Sequence, residues 1–238
     1  MVIDELLPIT LPATSGYRLV NSHYPPIAIF DQVADASEFD ALFALQELTN
    51  PRLRAEVGQT SLLEAGEIPF GIRGCSYATA PFTHINADGT RFSSGDFGVL
   101  YVGDTQETAI SEVHYHQARL WPNIIGIKDD ILVMRGLKCS FGPCDARDAV
   151  PLGLDHSLHH PIDCSVARTV GLQAYSQRHQ VPAIQYCSVR NPGATCWGLL
   201  SPRPVTDVIQ TFHCQFVMRA GGLIADVQYI QSVGGNTT

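Results

Sequence analysis

Apolar and polar positions recur with different periods along the chain, and the changes of period divide it into predicted strands and helices. Short apolar or alternating runs predict strands at residues 17–20, 69–82, 98–102, 130–137, 182–189 and 196–202. The tail predicts two more strands between residues 205 and 231, joined around Gly221 and Gly222. Strands therefore dominate the second half of the chain.

Helical spacing of apolar residues predicts helices at residues 37–48, in the segment that follows Asp104, and at residues 164–180. The starts of the first two carry capping signals. Ser37 is expected to cap the first helix with Asp40 three residues on, and Asp104 the second with Glu107 in the capping-box position.

The order of these elements predicts an α+β fold rather than a regular alternation of strand and helix. No repeat or low-complexity linker marks a boundary, so one domain is predicted over residues 17–231. Residues 1–16, interrupted by prolines and a glycine, predict a loose lead-in. Residues 139–162 predict a long surface loop, and residues 232–238 a flexible tail.

Composition narrows the classes of function. Of the 238 residues, 45% are hydrophobic and 16% charged, as in a globular protein with a sizeable core. The net charge of −8 disfavours nucleic acid as a partner but allows a local basic pocket for one small anion. The acidic start does not resemble a signal peptide, and no apolar run reaches the roughly 18 residues of a membrane span. A cytoplasmic protein with reduced cysteines and no membrane segment is predicted.

The helix predicted after Asp104 places a carboxylate at the border of its buried face. Ala109, Val113 and His116 share that face, and Glu112 lies beside it, one turn before His116. Such a carboxylate requires a partner or a chemical task, because an unpaired buried charge is costly. Considered alone, Glu112 is better explained as a helix-edge residue paired with an arginine elsewhere.

Two further polar residues precede this helix. Arg91 lies in a loop with three glycines and two serines, whose backbone amides can approach a ligand closely, and Tyr101 lies on the next strand. A surface arginine and a space-filling tyrosine are the ordinary explanations. Together with Glu112, however, they describe one ligand. The guanidinium suits a pyrophosphate, the ring a base or pyridine, and the carboxylate a ribose on which positive charge develops. The three residues predict a site that cleaves a nicotinamide dinucleotide at its N-glycosidic bond.

Ser188 and Asn191 lie where a predicted strand passes into a turn, a common position for ligand contacts. The alternatives are a local turn hydrogen bond for Ser188 and the Asn-Pro turn itself for Asn191, and the alternative is better supported for Asn191. The histidines and the cysteine of residues 156–164 lack the paired spacing of a zinc site, so a polar loop is preferred and no metal is predicted.

These blocks resemble the RES domain family, which is named for an arginine, a glutamate and a serine. The matching residues are Arg91 in GTRFSSG, Glu112 in ETAISEVHYH and Ser188 in YCSVRNPG. The resemblance extends to GVLYVGD, which contains Tyr101, and to YRLV, which contains Arg18, and it covers roughly residues 17–202. Members often have an asparagine and prolines at the place of residues 93–95, and a proline before the serine. These departures affect the contacts that the loop makes with a ligand and the choice of the group that accepts the ribosyl moiety.

The resemblance implies an ADP-ribosyltransferase-like fold with two packed mixed or antiparallel sheets and flanking helices. It also implies a toxin of a bacterial toxin–antitoxin system, partnered by a helix-turn-helix (Xre-like) antitoxin. The expected activity is NAD degradation by water or phosphate, with NAD as substrate and no cofactor. Glu112, Arg91 and Tyr101 are expected to be catalytic, and the residues expected to bind NAD are Arg91, Tyr101, Ser188, Arg18 and Asn191.

Two other functions remain open: a mono-ADP-ribosyltransferase that modifies a cellular protein, and an inactive module that binds a nucleotide or a partner. A homodimer is also compatible with the sequence, because apolar strands such as FHCQFVM suit an interface as well as a core.

Overall fold

The structure, a computed structural model, describes residues 2–22, 29–48, 53, 57–120, 130–219 and 224–230. Four α-helices have both ends within these ranges: α1, Ala36–Glu47; α2, Cys75–Thr83; α3, Gln106–Leu120; and α4, Ser165–Ser176. Helices α1, α3 and α4 confirm the three predicted helices. In the described ranges, no helix combines the length and the apolar character required to cross a bilayer.

The described strands form one sheet of nine: β1, Leu7–Leu11; β2, Thr14–Asn21; β3, Leu100–Gly103; β4, Asp130–Phe141; β5, Cys144–Asp148; β6, Ala183–Cys187; β7, Thr195–Leu199; β8, Val205–Met218; and β9, Ile224–Ile230. Their order is β1-β5-β6-β7-β3-β2-β4-β8-β9. Strands β5 and β6 run parallel, and the other described neighbours are antiparallel. The predicted α+β fold is confirmed. The turn expected at Gly221 and Gly222 and the tail 232–238 lie outside the described residues.

A single residue pair joins the two halves of this sheet. Strands β2 and β3 pair only at Tyr17 and Gly103, whereas β2 pairs with β4 along its whole length. The neighbouring residue must be glycine, because a Cβ at Gly16 would lie 2.5 Å from both the Gly103 carbonyl oxygen and a Val102 methyl carbon. The two expected sheets are therefore the two halves of one sheet, which separate beyond this junction.

The two halves pack on each other across a shared core. The rings of Phe141, on β4, and Trp197, on β7, have their centres 5.6 Å apart. The same cluster contains apolar residues from both halves and from α2, including Leu100, Leu137, Leu199, Val205 and Phe82. On the outer faces, α3 packs Ala109 and Val113 near Leu19, and α4 packs Ala167 and Val170 near Phe92. The sheet and these two helices position the site described below.

The prediction of a loose lead-in at residues 1–16 is wrong, and so is the prediction of a long loop at residues 139–162. The lead-in contains β1, which pairs antiparallel with β5 from within the supposed loop, and residues 139–141 belong to β4. Each strand is short and polar or interrupted by proline. Pairing of β1 with β5 buries Leu11 and Ala146, and the partner of each strand lies more than a hundred residues away in the chain.

The strand predicted at residues 69–82 is also wrong, because helix α2 occupies most of this segment. Its buried residues Cys75, Ala78 and Phe82 follow helical spacing. The start is stabilised from a distance, since the Asp31 carboxylate accepts hydrogen bonds from the backbone N–H groups of Cys75 and Ser76, at 2.8 and 3.2 Å.

Both predicted helix caps are displaced by a residue or two. Asp35 rather than Ser37 caps α1, because its carboxylate accepts from the backbone N–H groups of residues 37 and 38. At α3, the Thr105 hydroxyl accepts from the Thr108 N–H at 3.1 Å. Asp104 instead accepts a 2.8 Å hydrogen bond from the backbone N–H of Thr195 and so ties the start of α3 to β7.

Candidate active site

Arg91 lies in the loop between α2 and β3, and the protein already orients its guanidinium. Nη1 donates hydrogen bonds to the carbonyl oxygens of Leu158 and His160, at 3.1 and 3.3 Å. Its Cζ lies 5.8 Å from the centre of the Tyr186 ring. Within the described residues, Nε and Nη2 have no hydrogen-bond partner. The side chain therefore retains N–H groups for an anionic ligand.

Tyr101 holds the loop on both sides of Arg91. Its hydroxyl forms a 2.8 Å hydrogen bond with Thr90 Oγ1 and accepts a 2.9 Å bond from the backbone N–H of Phe92. Burial raises the pKa of the Tyr101 phenol to about 12, although both hydrogen bonds act against this shift. The phenol is therefore neutral at physiological pH. Its ring stacks on Phe92, with the ring centres 6.3 Å apart.

Helix α4 supports the same loop. Arg168 donates from Nε to the Thr90 carbonyl at 3.0 Å and from Nη2 to the Asp88 carbonyl at 3.2 Å. Gly171 allows the close approach, because a Cβ there would lie 1.9 Å from the Phe92 carbonyl oxygen. The loop is thus held from β3 and from α4. Sequence reasoning missed both supporting residues, because they follow the loop by about 80 positions.

Glu112, on α3, is held by the residue that follows β6. The Ser188 hydroxyl donates a 2.7 Å hydrogen bond to Glu112 Oε1 and accepts a 3.0 Å bond from the backbone N–H of Asn191. Ser188 is 0% exposed. The ion pairs among the described residues join other side chains, so the arginine partner considered for Glu112 is replaced by this serine.

A second link joins the same turn to α3 one helical turn earlier. Asn191 Nδ2 donates a 2.9 Å hydrogen bond to Thr108 Oγ1, and this hydroxyl donates a 2.6 Å bond to the Asp104 carboxylate. The turn 188–191 is therefore attached to α3 at two positions, which fixes the direction of the Glu112 side chain. The NAD-binding roles expected for Ser188 and Asn191 stay predictions, since both side chains are engaged within the protein.

Arg91, Tyr101 and Glu112 all act electrostatically on the phenol of Tyr186. This residue is 4% exposed, and its hydroxyl interacts electrostatically with all three. Burial raises the pKa of Tyr186 well above its ordinary value; the charge of Glu112 acts in the same direction and that of Arg91 in the opposite one. Three residues from a loop, a strand and a helix are thus near enough to Tyr186 to affect its ionisation.

Further cations lie near His116, one turn after Glu112. Arg190 lies over the Tyr115 ring with its Cζ 3.2 Å from the ring centre, and Arg119 lies 5.6 Å from the same centre. His116 interacts electrostatically with the charged side chains around it, which are Glu112, Arg190, Arg119 and Arg91. Three arginines and Glu112 therefore act on the same histidine, although the chain is acidic overall.

Comparison with known proteins identifies a family over the part of the chain that contains Arg91, Glu112 and Ser188. The RES domain family model matches residues 68–219, more than half of the chain. The chain belongs to the RES domain family. Its three naming residues, Arg91, Glu112 and Ser188, all lie within the match.

Two similar proteins extend over most of this RES domain protein. The uncharacterized protein y4oC from Sinorhizobium fredii is 26% identical over 215 residues, which cover 84% of this chain and 81% of the relative. A chain in the crystal structure of the M. tuberculosis MbcT–MbcA toxin–antitoxin complex has a TM-score of 0.48 and 11% identity. That match covers 88% of this chain and 89% of the other.

Arg18 precedes the matched part of the RES domain and lies on β2, next to the junction with β3. Its guanidinium interacts electrostatically with Tyr101 and Cys139, and burial lowers its pKa. The position beside the junction brings it near Tyr101. A role as a second clamp for a pyrophosphate stays a prediction.

The histidine-rich segment contributes to the RES site in a way that its sequence does not reveal. His159 is 0% exposed, and its ring is hydrogen-bonded to the Gly153 carbonyl and to the backbone N–H of Cys187. In the described part of the chain, no three His, Cys, Asp or Glu side chains lie close enough together to hold a metal ion. The signal in the sequence is Leu158, an apolar residue among the histidines of residues 156–160.

A separate groove of about 740 Å³ lies away from these residues. It is lined by Phe43, residues 58–61 and residues 83–86, and contains none of the RES site residues. The chemistry of the site is therefore argued from Arg91, Tyr101 and Glu112 and not from this groove.

Proposed function

We propose that this RES domain protein consumes NAD by cleaving the bond between nicotinamide and ribose. The observation that supports the proposal most directly is the buried ring of Tyr186. The Arg91 guanidinium lies 5.8 Å from its centre, and the charges of both Arg91 and Glu112 act on its hydroxyl. A nicotinamide dinucleotide carries its pyrophosphate one linkage from the reacting ribose. One ligand can therefore meet both groups at once.

Arg91 binds the pyrophosphate. The two carbonyl oxygens that accept from Nη1 hold the guanidinium in place, so its remaining N–H groups are oriented before the ligand arrives. A planar guanidinium with two parallel donors matches two phosphate oxygens better than an ammonium group does. The neighbouring loop, held by Tyr101, adds backbone amides at close range.

Glu112 acts on the ribose. Nicotinamide leaves as a neutral amine, so the difficult step is the growth of positive charge on the sugar, as in glycoside hydrolysis. Ser188 holds the Oε1 atom of Glu112. The other oxygen, Oε2, has no hydrogen-bond partner among the described residues, and it faces the developing charge and accepts a hydrogen bond from a ribose hydroxyl. The interaction is strongest in the transition state, so its loss lowers kcat more than it weakens NAD binding.

Tyr101 presents its ring, not its hydroxyl, to the nicotinamide. The hydroxyl is used by Thr90 and Phe92, and the neutral phenol holds its proton at physiological pH. Ser188 and Asn191 act mainly through Glu112 and α3, and Arg18 is the second clamp for the pyrophosphate.

The test is incubation of the purified protein with NAD, followed by chromatography of nicotinamide and ADP-ribose, with and without added phosphate. Wild-type protein is expected to release nicotinamide. Glu112→Gln and Arg91→Ala are each expected to reduce that release by at least about 100-fold, because each removes a charge aimed at the transition state or the pyrophosphate.

Two matched variants control for general damage. Glu107→Gln makes the same change at an exposed position of α3, and Arg73→Ala removes an exposed arginine whose partner is Asp207. Both are expected to keep wild-type turnover. Full activity of correctly folded Glu112→Gln and Arg91→Ala proteins would refute the assignment of the site. Labelled NAD incubated with cell lysate distinguishes a transferase, which labels a protein band, from an enzyme that uses water or phosphate.

The biological role that we propose is that of a toxin in a toxin–antitoxin pair, acting in the cytoplasm and neutralised by a helix-turn-helix antitoxin. NAD loss halts metabolism in any cell that lacks the antitoxin. Induced expression is therefore expected to stop growth and lower cellular NAD, and expression of Glu112→Gln to do neither. Rescue by co-expressing a candidate helix-turn-helix partner identifies the antitoxin.

A further inference from the structure

His159 is a buried histidine outside the residues that give the family its name. It ends a short 3₁₀ turn, Ser157–His159, and is 0% exposed. Its Nδ1 lies 2.7 Å from the Gly153 carbonyl oxygen, and its Nε2 lies 3.1 Å from the backbone nitrogen of Cys187. Both ring nitrogens are therefore used in hydrogen bonds to the backbone.

These two contacts define the tautomer and the charge of the ring. The Cys187 backbone nitrogen can only donate, so Nε2 must be the acceptor and carry no proton. The Gly153 carbonyl can only accept, so Nδ1 carries the proton. This arrangement requires a neutral imidazole, because a protonated ring has no acceptor left for the Cys187 N–H.

The turn that contains His159 also holds Arg91. The carbonyl oxygens of Leu158 and His160, on either side of His159, accept the two hydrogen bonds from Arg91 Nη1. A shift of this turn therefore moves both acceptors and reorients the guanidinium.

The other side of the ring leads to Glu112. Cys187 is the last residue of β6, and the next residue, Ser188, donates the 2.7 Å hydrogen bond to Glu112 Oε1. The contacts thus form a continuous path from Arg91 through the turn, the His159 ring, Cys187 and Ser188 to Glu112. In the described structure the imidazole is the part of this path that can change its charge state near neutral pH.

We propose that His159 is a positioning residue, which holds the guanidinium of Arg91 and the carboxylate of Glu112 in register, and that its protonation uncouples them. The inference rests on the proposed NAD-cleaving function. The charged and titratable groups that interact with the ring are Arg91, from the loop before β3, and His156, from the turn itself. Both disfavour a second positive charge at this place, and burial acts in the same direction.

The direction of the pH effect follows from these contacts. Burial, together with Arg91 and His156, lowers the pKa of His159 below its ordinary value, against the weaker opposing effect of the Gly153 hydrogen bond. The neutral His159 ring therefore makes its full contribution to the stability of the folded protein above the ordinary histidine pKa of about 6.5. It is lost as the pH falls below that value, where the unfolded chain takes up the proton first, and through the lower pKa of the folded protein. NAD turnover by the folded protein is expected to fall only through the lower pKa of the folded state, where the ring itself takes up a proton.

Two substitutions separate positioning from simple packing. His159→Gln gives an uncharged side chain whose amide oxygen reaches the position of Nε2 and accepts from Cys187, whereas the shorter amide of His159→Asn reaches only the position of Nδ1. We expect His159→Gln to keep kcat within a few-fold of wild type and to lose the acid limb of the pH profile. We expect His159→Asn to lose about tenfold in kcat with little change in KM.

The measurement is kcat and KM for NAD between about pH 5 and 8, with His213→Gln as the control. His213 lies on β8 with its ring near Gln210, and the wild-type acid limb is expected to persist in this variant. An unchanged acid limb in His159→Gln, or equal loss of kcat in the Gln and Asn variants, overturns the proposal.

A second readout does not depend on enzyme activity. Nitrogen NMR of the wild-type imidazole is expected to show the tautomer with the proton on Nδ1, and a protonation midpoint below the ordinary pKa of about 6.5. A ring that titrates normally overturns the positioning role, even if both variants fail to fold. The wild-type protein could also show the expected tautomer and titration but consume no NAD. That result overturns the proposed function, while the structural link from the His159 turn to Cys187 and Ser188 remains supported.

Discussion

Replacement of Ser188 by alanine tests whether this residue acts through Glu112 or through NAD. The hydroxyl donates a 2.7 Å hydrogen bond to Glu112 Oε1 and accepts a 3.0 Å bond from the Asn191 N–H. Because Ser188 is 0% exposed, the methyl group of alanine fits the same space but offers the carboxylate no donor. The change removes the donor to Glu112 and the acceptor for the Asn191 N–H, and it adds no atom.

The size of the effect follows from the charge on the acceptor. A hydrogen bond to a charged group contributes about 1.5–3 kcal/mol, which corresponds to a factor of about 10–150 in rate if it acts in the transition state. A carboxylate without this donor rotates away from the ribose, and the loss is felt where the sugar is most positive. We therefore expect kcat to fall by this factor and KM for NAD to stay within about twofold.

The assay is steady-state nicotinamide release, and Ser201→Ala is the matched control. Ser201 is also a buried serine whose hydroxyl hydrogen-bonds to a buried carboxylate, that of Glu67, which pairs with Arg178 away from the site. It should lose similar stability and keep kcat. In a Glu112→Gln background, Ser188→Ala should have little further effect, because the two residues act as a unit.

A raised KM with unchanged kcat in Ser188→Ala would mean that the serine contacts NAD directly, as its position in the sequence suggests, and that the positioning argument is wrong. Full additivity of Ser188→Ala and Glu112→Gln would refute the coupling between them.

Two further predictions concern the loop that carries Arg91. Tyr101→Phe leaves the Phe92 N–H without its partner, so we expect a loss of about 1–3 kcal/mol in the free energy of unfolding and a higher KM for NAD; a lower kcat with unchanged stability would instead indicate a direct chemical role for the hydroxyl. Gly171→Ala places a Cβ 1.9 Å from the Phe92 carbonyl oxygen, so we expect denaturant unfolding to show a loss of about 1–3 kcal/mol. Gly66→Ala is the control, because its added Cβ meets nothing within 4 Å, and it should leave the free energy of unfolding nearly unchanged. A similar loss in both variants would show that any glycine replacement destabilises the protein, whatever the space around it.

The parts of the fold that the sequence predicted correctly depend on local pattern. Strand β3 and helix α3 follow each other directly, with clear apolar spacing, so the sequence alone places Tyr101 and Glu112 near each other. The parts that failed depend on distant residues. Helix α2 is capped by Asp31, and β1 is a strand only because β5 lies beside it. No local pattern contains that information.

The same distinction applies to the site. The residues that were predicted carry unusual chemistry for their positions, such as a carboxylate at the edge of an apolar helix face. The missed ones, His159 and Arg168, act on backbone atoms of segments far away in the chain. A hydrogen bond to a backbone carbonyl can be made to any residue type, so it leaves no matching partner in the sequence.

The whole chain is negatively charged, whereas the charged groups near His116, one turn after Glu112, are mostly arginines. The net charge is −8, yet His116, one turn after Glu112, interacts with Arg91, Arg119 and Arg190. Exposed acids farther away than about 8–10 Å are largely screened at physiological ionic strength, whereas these nearby guanidinium groups are not. A compact ligand with two phosphate charges would stay within this positive region, whereas a long polyanion would extend over the acidic remainder of the surface. We therefore expect the local positive charge to attract a small anion such as a dinucleotide, while the negative charge of the whole chain disfavours a nucleic acid.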